Sequence, residues 1–140
     1  MVSFWKELIV FVTLLTSIIL VQVAHAEWIK ETKSGEGDHY YLNIEEIKKH
    51  LGHVYYWVLI DYLIPKQTGD LSSTHLYGAD CTKTFKIKKL TSVHYPLPMG
   101  TGSYRKKETY ENTKWTVPNP KTIDFLLGKK ACGQKFLLNR

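Results

Sequence analysis

Ten residues, Val54 to Leu63 (VYYWVLIDYL), constrain this chain more than any others. Read at the two-residue period of a strand, one face carries Val54, Tyr56, Val58, Ile60 and Tyr62, and the other carries Tyr55, Trp57, Leu59, Asp61 and Leu63. Both faces are largely apolar, built from β-branched and aromatic side chains. A strand that is apolar on both sides needs cover on both sides, which predicts a central place in a sheet. A helix can supply one cover, and a second layer or a partner subunit the other.

Residues 1–26 are read as a segment to be removed before folding. Lys6 supplies a positive charge, residues 8–21 are almost entirely apolar, and Ala24-His25-Ala26 places small residues where a signal peptidase cuts, ahead of Glu27. The competing reading is a retained membrane anchor, because the apolar run is only a little short of a spanning helix. The small-x-small ending and the lack of a basic cluster after it favour the signal peptide, with no membrane span in the mature chain. Residues 27–132 then form one domain with one modest core, and 133–140 a tail.

The net charge of +6 survives cleavage, since Lys6 and Glu7 cancel. In an exported chain that charge points away from nucleic acid and towards sulfated glycans, phosphorylated lipids or acidic proteins, or simply maintains solubility. An oxidising compartment favours pairing of the two cysteines, Cys81 and Cys132. Closing that loop would stabilise the fold by roughly 4 kcal/mol in the chain-entropy account. A redox or nucleophilic cysteine would need a C-x-x-C spacing or a neighbouring base, and neither is present.

Taken in order, residues 27–30 and 39–42 read as two short strands joined through the glycine-rich 34–38 turn. Asn43 with Glu46 three residues on, then Ile47, Leu51 and Gly52, reads as a capping box opening a short connector helix that glycine stops. Beyond the central strand, Pro65 and the polar segment 66–73 form a loop. Residues 75–82 are extended, and 81–88 alternate with Cys81, Phe85 and Ile87 on one side and lysines and threonines on the other. Gly78 marks a bulge position. Residues 90–95 make a further strand, 96–102 a proline- and glycine-rich loop presenting Met99, and 104–110 and 115–117 short strands. Asn119 and Pro120 are read as N-cap and first residue of a last helix, with Ile123, Leu126, Leu127 and Ala131 on one stripe and Lys129 and Lys130 near its C-terminus. Phe136, Leu137 and Leu138 give the tail something to dock. The class is therefore α+β: an antiparallel β-sheet with a short connector helix, a C-terminal helix packed on the sheet, and one disulfide.

Chemical signatures are sparse. His50 and His53 have the spacing of a metal pair but straddle a glycine and lack a third ligand, so they are read as surface histidines. Asp61 must be hydrogen-bonded if buried among Trp57 and Leu59, and Asp80 reads as a structural acceptor. No nucleophile elbow, phosphate loop or zinc signature occurs, and the expectation is a non-enzyme without metal or cofactor. Nine tyrosines, four tryptophans and five phenylalanines fill a small β core. Exposed aromatics beside Arg105, Lys106 and Lys107 would suit a partner surface, so Tyr104, Arg105, Lys106, Lys107 and Met99 are the candidate contact residues.

The ordered set Trp28; Tyr40-Tyr41 with Ile47 before Gly52; Trp57-Val58-Leu59 with Asp61-Tyr62; Asp80-Cys81; Tyr95 with Gly100-Thr101-Gly102; Trp115 with Pro118; and Cys132 resembles the bacterial surface-adhesin protein E family across nearly the whole mature chain. The resemblance implies an antiparallel sheet with a packed helix, closed by a bridge from Cys81 to Cys132, and it admits a homodimer. It also implies binding of host matrix or serum proteins, such as laminin and vitronectin, at the outer membrane. Members of the named type are lipid-anchored through a cysteine after the signal, where this chain has Ala26-Glu27. Two functions therefore stand as expectations: an adhesin-like module for a protein or glycan ligand outside the cytoplasm, or a periplasmic envelope or inhibitor protein.

Overall fold

The computed structural model describes residues 27–134. Ala24 and Ala26 of the expected cleavage site, and Phe136 to Leu138 of the tail, lie outside the described residues; Glu27 is the first within them and is exposed. The strands are β1 Trp28–Lys33, β2 His39–Asn43, β3 Lys48–His50, β4 His53–Asp61, β5 Ser72–Asp80, β6 Lys86–Tyr95 and β7 Lys106–Thr109, followed by one helix, α1 Ile123–Gln134. They form one antiparallel sheet in the order β1-β2-β4-β5-β6-β7, with β3 also paired to β4. The fold is α+β, as expected. Among the described residues no helix is long and apolar enough to cross a membrane.

β4 is central. β5 pairs with it along its whole length on one edge, while the other edge is shared between β2 (residues 58–61) and β3 (residues 53–55). Val54, Tyr56 and Val58 are buried beneath α1 together with Leu42, Tyr77, Ala79, Phe85, Ile87, Leu127 and Ala131. On the other face Leu59 is fully buried, but its cover is a single turn of 3-10 helix, Pro98–Gly100, in the loop read as irregular. That turn is pinned from below: the Met99 N–H donates to Asp61 Oδ1 at 2.8 Å, the Gly100 N–H donates to Ser72 Oγ at 2.8 Å, and Ser72 Oγ donates to the Leu97 carbonyl at 2.5 Å. Asp61 thus has the partner that its apolar surroundings demand. Further along, Trp115 lies on Gly78, where a Cβ would sit 3.4 Å from its ring, and stacks on His53 at 4.7 Å with the Lys88 ammonium 4.7 Å from the ring centre. Gly78 serves this close approach. The bulge itself falls one step earlier, at the register shift between Leu76 and Tyr77.

The connector helix is not formed. Asn43 Oδ1 does accept the Glu46 N–H at 3.2 Å, the contact of an N-cap, yet the chain makes only one turn before entering β3. The free edge of β4 at residues 53–55 offers backbone partners to Lys48–His50, and a two-turn helix has too few hydrogen bonds of its own to compete. Gly52 is accordingly the second residue of a hairpin turn, where Leu51 (φ 47°) and Gly52 (φ 81°) both have positive φ, as a type I′ turn requires. Leu51, placed on the apolar stripe by the helical reading, is 82% exposed.

Three further boundaries differ from the sequence reading. β5 ends at Asp80, whose Oδ1 accepts the Thr82 N–H at 3.1 Å, so 81–88 is a turn followed by a strand and not one strand. This hydrogen bond holds the Asp80 carboxyl below its usual range. Residues 115–117 contribute a lone bridge between Thr116 and Ile87. Asn119 caps a turn, accepting the Lys121 N–H at 2.9 Å, and the helix begins three residues later than expected, with Thr122 Oγ1 accepting the Phe125 N–H at 3.4 Å. On α1 the buried stripe is Leu127 and Ala131 with Ile123 and Phe125 partly covered, whereas Leu126 points to solvent. The helix runs through Gly133 to Gln134.

Cys81 and Cys132 are disulfide-bonded across a sequence separation of 51, with Cα atoms 5.8 Å apart. The bridge ties the C-terminal part of α1 to the end of β5. A bulge in β1 between Lys30 and Thr32 leaves Glu31 outside the strand alternation, and its buried carboxylate meets the Lys130 ammonium, a second tie between helix and sheet.

Candidate functional site

The helix covers only half of its face of the sheet. Register places Ala79 beside Ile87 under α1, but Ser73 beside His94 and His75 beside Ser92 farther along the same face. This second half is polar. Ser72, Ser73 and Thr74 interrupt the apolar pattern at the start of β5, where a central strand would carry aliphatic residues, and all three are buried, Ser73 on this face and Ser72 and Thr74 on the face of the 3-10 turn.

The buried part of that face is a continuous hydrogen-bonded chain. Tyr62 Oη meets Ser73 Oγ at 2.6 Å, Ser73 Oγ meets His75 Nε2 at 2.8 Å, and His75 Nδ1 meets Ser92 Oγ at 2.8 Å. Tyr110 Oη donates to Glu108 Oε2 at 3.1 Å and lies 3.4 Å from the Ser92 hydroxyl. Burial pushes the His75 imidazole down to about 3, with Lys89 and His94 acting in the same direction and Glu108 opposing. His75 is therefore neutral under ordinary conditions, one ring nitrogen donating and the other accepting. A hydroxyl beside a neutral imidazole has the composition of a nucleophile and its base, but Ser73 is 0% exposed, which denies it a substrate.

Outside this chain the face opens into a pocket of about 400 Å³ lined by Tyr62, Lys66, Thr68, Asp70, His94, Arg105, Lys106 and Glu108. The loop 66–70 is closed by Gly69, at φ 81°, whose N–H donates to the Lys66 carbonyl at 2.7 Å, and it delivers Asp70 inward. Lys66 is held over the Tyr62 ring, 4.3 Å from its centre, and paired to Asp38 at 3.0 Å. Lys106 pairs with Glu108 at 2.7 Å, which raises the ammonium and lowers the carboxyl from their ordinary values.

Asp70 is the least satisfied group of this pocket. Its side chain is 6% exposed; Oδ2 accepts the Thr68 hydroxyl at 2.5 Å, whereas Oδ1 has no hydrogen-bond donor. Arg105 Nε stands 3.7 Å from Oδ1, close enough for charge compensation and too far for a hydrogen bond. His94 is similarly poised, its Nδ1 3.8 Å from Asp70 and its Nε2 3.6 Å from Glu108.

The structure separates the contact residues named from the sequence. Arg105 and Lys106 line the pocket. Tyr104 is exposed beside them. Lys107 pairs in register with Val93 and not His94, so strand alternation turns it to the opposite face. Met99 sits over that opposite face in the 3-10 turn and is half-buried. Tyr62, Lys66, Asp70, His94 and Glu108 were not singled out in the sequence, although the polar run at 72–75 inside a strand was a readable signal that this part of the sheet serves something other than the core. His50 and His53 face each other across the hairpin, His53 against Trp115, and among the described residues no three His, Cys, Asp or Glu side chains gather as a metal would need. A second hollow, of about 470 Å³, is lined by Tyr55, Trp57 and Leu76 with Glu46, Lys48 and His50 on the face away from α1.

No curated protein matches the sequence. The family model described as surface-adhesin protein E matches residues 28–133, from the first residue of β1 to the penultimate residue of α1. Family membership implies an exported or surface location and binding of ligands outside the cell. The sheet, the helix packed on it and the Cys81–Cys132 bridge agree with the resemblance carried by Trp28, Tyr40, Trp57, Asp80 and Trp115, and the chain belongs to the surface-adhesin protein E family.

Proposed function

We propose that this protein is an exported, non-enzymatic binding module that takes its ligand at the pocket edged by Lys66, Arg105 and Lys106. The observation that carries the reading is convergence: residues from the 66–70 loop, β6 and β7 meet at one opening with the two basic residues 105 and 106 at its mouth. The three cations are matched by Asp38, Asp70 and Glu108, but each cation is the more exposed member of its pair, which turns positive charge outward and makes the opening attractive to acidic partners. Host matrix and serum proteins carrying acidic or glycosylated surfaces fit this chemistry. Sealing of Ser73 and His75 behind the pocket supports binding over catalysis.

The test is binding of purified protein, residues 27–140, to immobilised matrix proteins and heparin. The Arg105→Ala/Lys106→Ala double variant is expected to lose at least tenfold in affinity, with unchanged circular dichroism. Lys107→Ala, on the opposite face, is expected to bind as wild type. Equal losses from both would mean diffuse charge attraction and would overturn the pocket assignment.

A second reading is a soluble periplasmic envelope protein, favoured by Glu27 standing where a lipid-accepting cysteine would follow Ala26. Protease treatment of intact cells separates the two. Digestion supports surface display, and protection confines the protein to the periplasm and to envelope partners.

A further inference from the structure

The least satisfied atom of the pocket defines its ligand more narrowly than its charge does. Asp70 Oδ1 is buried and lacks a hydrogen-bond donor, and Asp70 is one of the residues lining the opening, so the missing partner is a donor group that reaches Oδ1 when the exposed Arg105 side chain shifts. His94 stands beside it with both ring nitrogens beyond hydrogen-bond distance of the carboxylates that flank them. A simple cation such as a lysine side chain from a partner would satisfy Asp70, but it would have to pass Lys66, Arg105 and Lys106. A simple anion such as sulfate or acetate would suit those three and then meet Asp70 and Glu108. One molecule answers both demands if it carries hydroxyl donors on one side and an anionic group on the other.

We propose that the pocket binds an acidic sugar residue, its hydroxyls donating to Asp70 Oδ1 and Glu108 and its carboxylate or sulfate held by Arg105, Lys106 and Lys66. This rests on the pocket being the ligand site. The dimensions agree, because a depression of about 400 Å³ admits one hexose ring and leaves the rest of a chain outside. The arrangement of charges agrees as well. Lys66 is fixed by Asp38 and the Tyr62 ring, and Arg105 is held by the Thr68 carbonyl at 3.4 Å, so the cations are positioned at the mouth and the acceptors below. The polar chain from Tyr62 through Ser73, His75 and Ser92 to Tyr110 fixes the floor beneath them, which reduces the reorganisation a ligand must impose.

The experiment is a titration with glucuronate, glucose and acetate, followed through the amide resonances of residues 69, 70 and 105–108. The expected result is glucuronate binding at least tenfold more tightly than glucose or acetate. Asp70→Asn, which keeps the shape and an acceptor for Thr68 but replaces the second acceptor with a donor, is expected to abolish that preference. Acetate binding as well as glucuronate, or Asp70→Asn leaving the preference intact, would overturn the sugar assignment. Loss of matrix binding in Arg105→Ala/Lys106→Ala together with no uronate preference would overturn this inference while keeping the binding function. Perturbation confined to resonances outside residues 66–70 and 105–108 would overturn both.

Discussion

Gly128 of the helix lies so close to Phe85 that a methyl group on the glycine would sit 2.7 Å from Cζ of the ring, and 2.9 Å from the Tyr56 hydroxyl. Two effects oppose each other when Gly128→Ala is made. Alanine in a helix interior gains about 1 kcal/mol over glycine. Overpacking between two buried aromatics costs about 1–3 kcal/mol, because neither ring can move without displacing the sheet. The second wins at this contact distance, and urea unfolding is expected to show a net loss of about 1–2 kcal/mol. A gain would mean that the helix stands farther from the sheet than the structure shows.

Leu51 should behave in the opposite sense. It holds a left-handed backbone conformation in the β3–β4 turn and exposes 82% of its surface, so its side chain contributes little packing to offset the strain. Leu51→Asn is expected to stabilise the protein by about 0.5–1 kcal/mol, read as a higher urea midpoint with unchanged slope. Loss of stability would mean that the Leu51 side chain packs in the turn more than its exposure shows.

His75 makes stability depend on acid. Its imidazole is pushed down from 6.5 to about 3 in the folded protein, mainly by burial, with Lys89 and His94 adding and Glu108 opposing. Between those two values the unfolded chain takes up a proton that the folded one refuses, so stability is complete above pH 6.5 and falls as the pH drops. The full effect is on the order of a few kcal/mol. His75→Gln, which retains one donor and one acceptor, is expected to flatten the loss between pH 6 and 4 in thermal unfolding. An identical slope in wild type and variant would assign acid sensitivity to other groups.

Removing the disulfide tests how the helix is held. The bridge closes a sequence separation of 51, and the chain-entropy relation gives a cost of about 4 kcal/mol for its loss. Cys81→Ser/Cys132→Ser is expected to lower the unfolding free energy by that amount, read as a lower urea midpoint. Hydrogen exchange should show α1 losing protection before β4 and β5, since the packing of Leu127 and Ala131 and the Glu31–Lys130 pair would then fasten it without a covalent tie. Uniform loss across the sheet would mean that helix and sheet unfold as one unit.

Much of the architecture was readable because its causes are local. The centrality of β4 follows from apolar side chains on both of its faces, whereas β5 was read to begin only at His75 and β6 as two pieces, 81–88 and 90–95. The site was only half legible. Arg105 and Lys106 were visible as a basic pair beside Tyr104, but a strand sends consecutive side chains to opposite faces, and nothing in the local pattern told which face would meet Asp70. Asp70 itself looked like one more polar loop residue after Gly69.

The amino-acid sequence by itself determined the pieces whose free energy depends on their own residues: the two-faced apolar strand, read as Val54–Leu63 and ending at Asp61, the turns at glycine and proline, and the paired cysteines of an exported chain. The tertiary structure decided what depends on distant partners. Residues 48–50 became a strand because the edge of β4 lay open to their backbone, and Asn43 could cap a single turn without a helix following it. Asp70, His94 and Arg105 became one pocket because the β5–β6 register and the 66–70 loop placed them together. Hydrogen-bonding edges and buried charges are satisfied over the whole fold, and such groups acquire their roles only when the chain has closed around them.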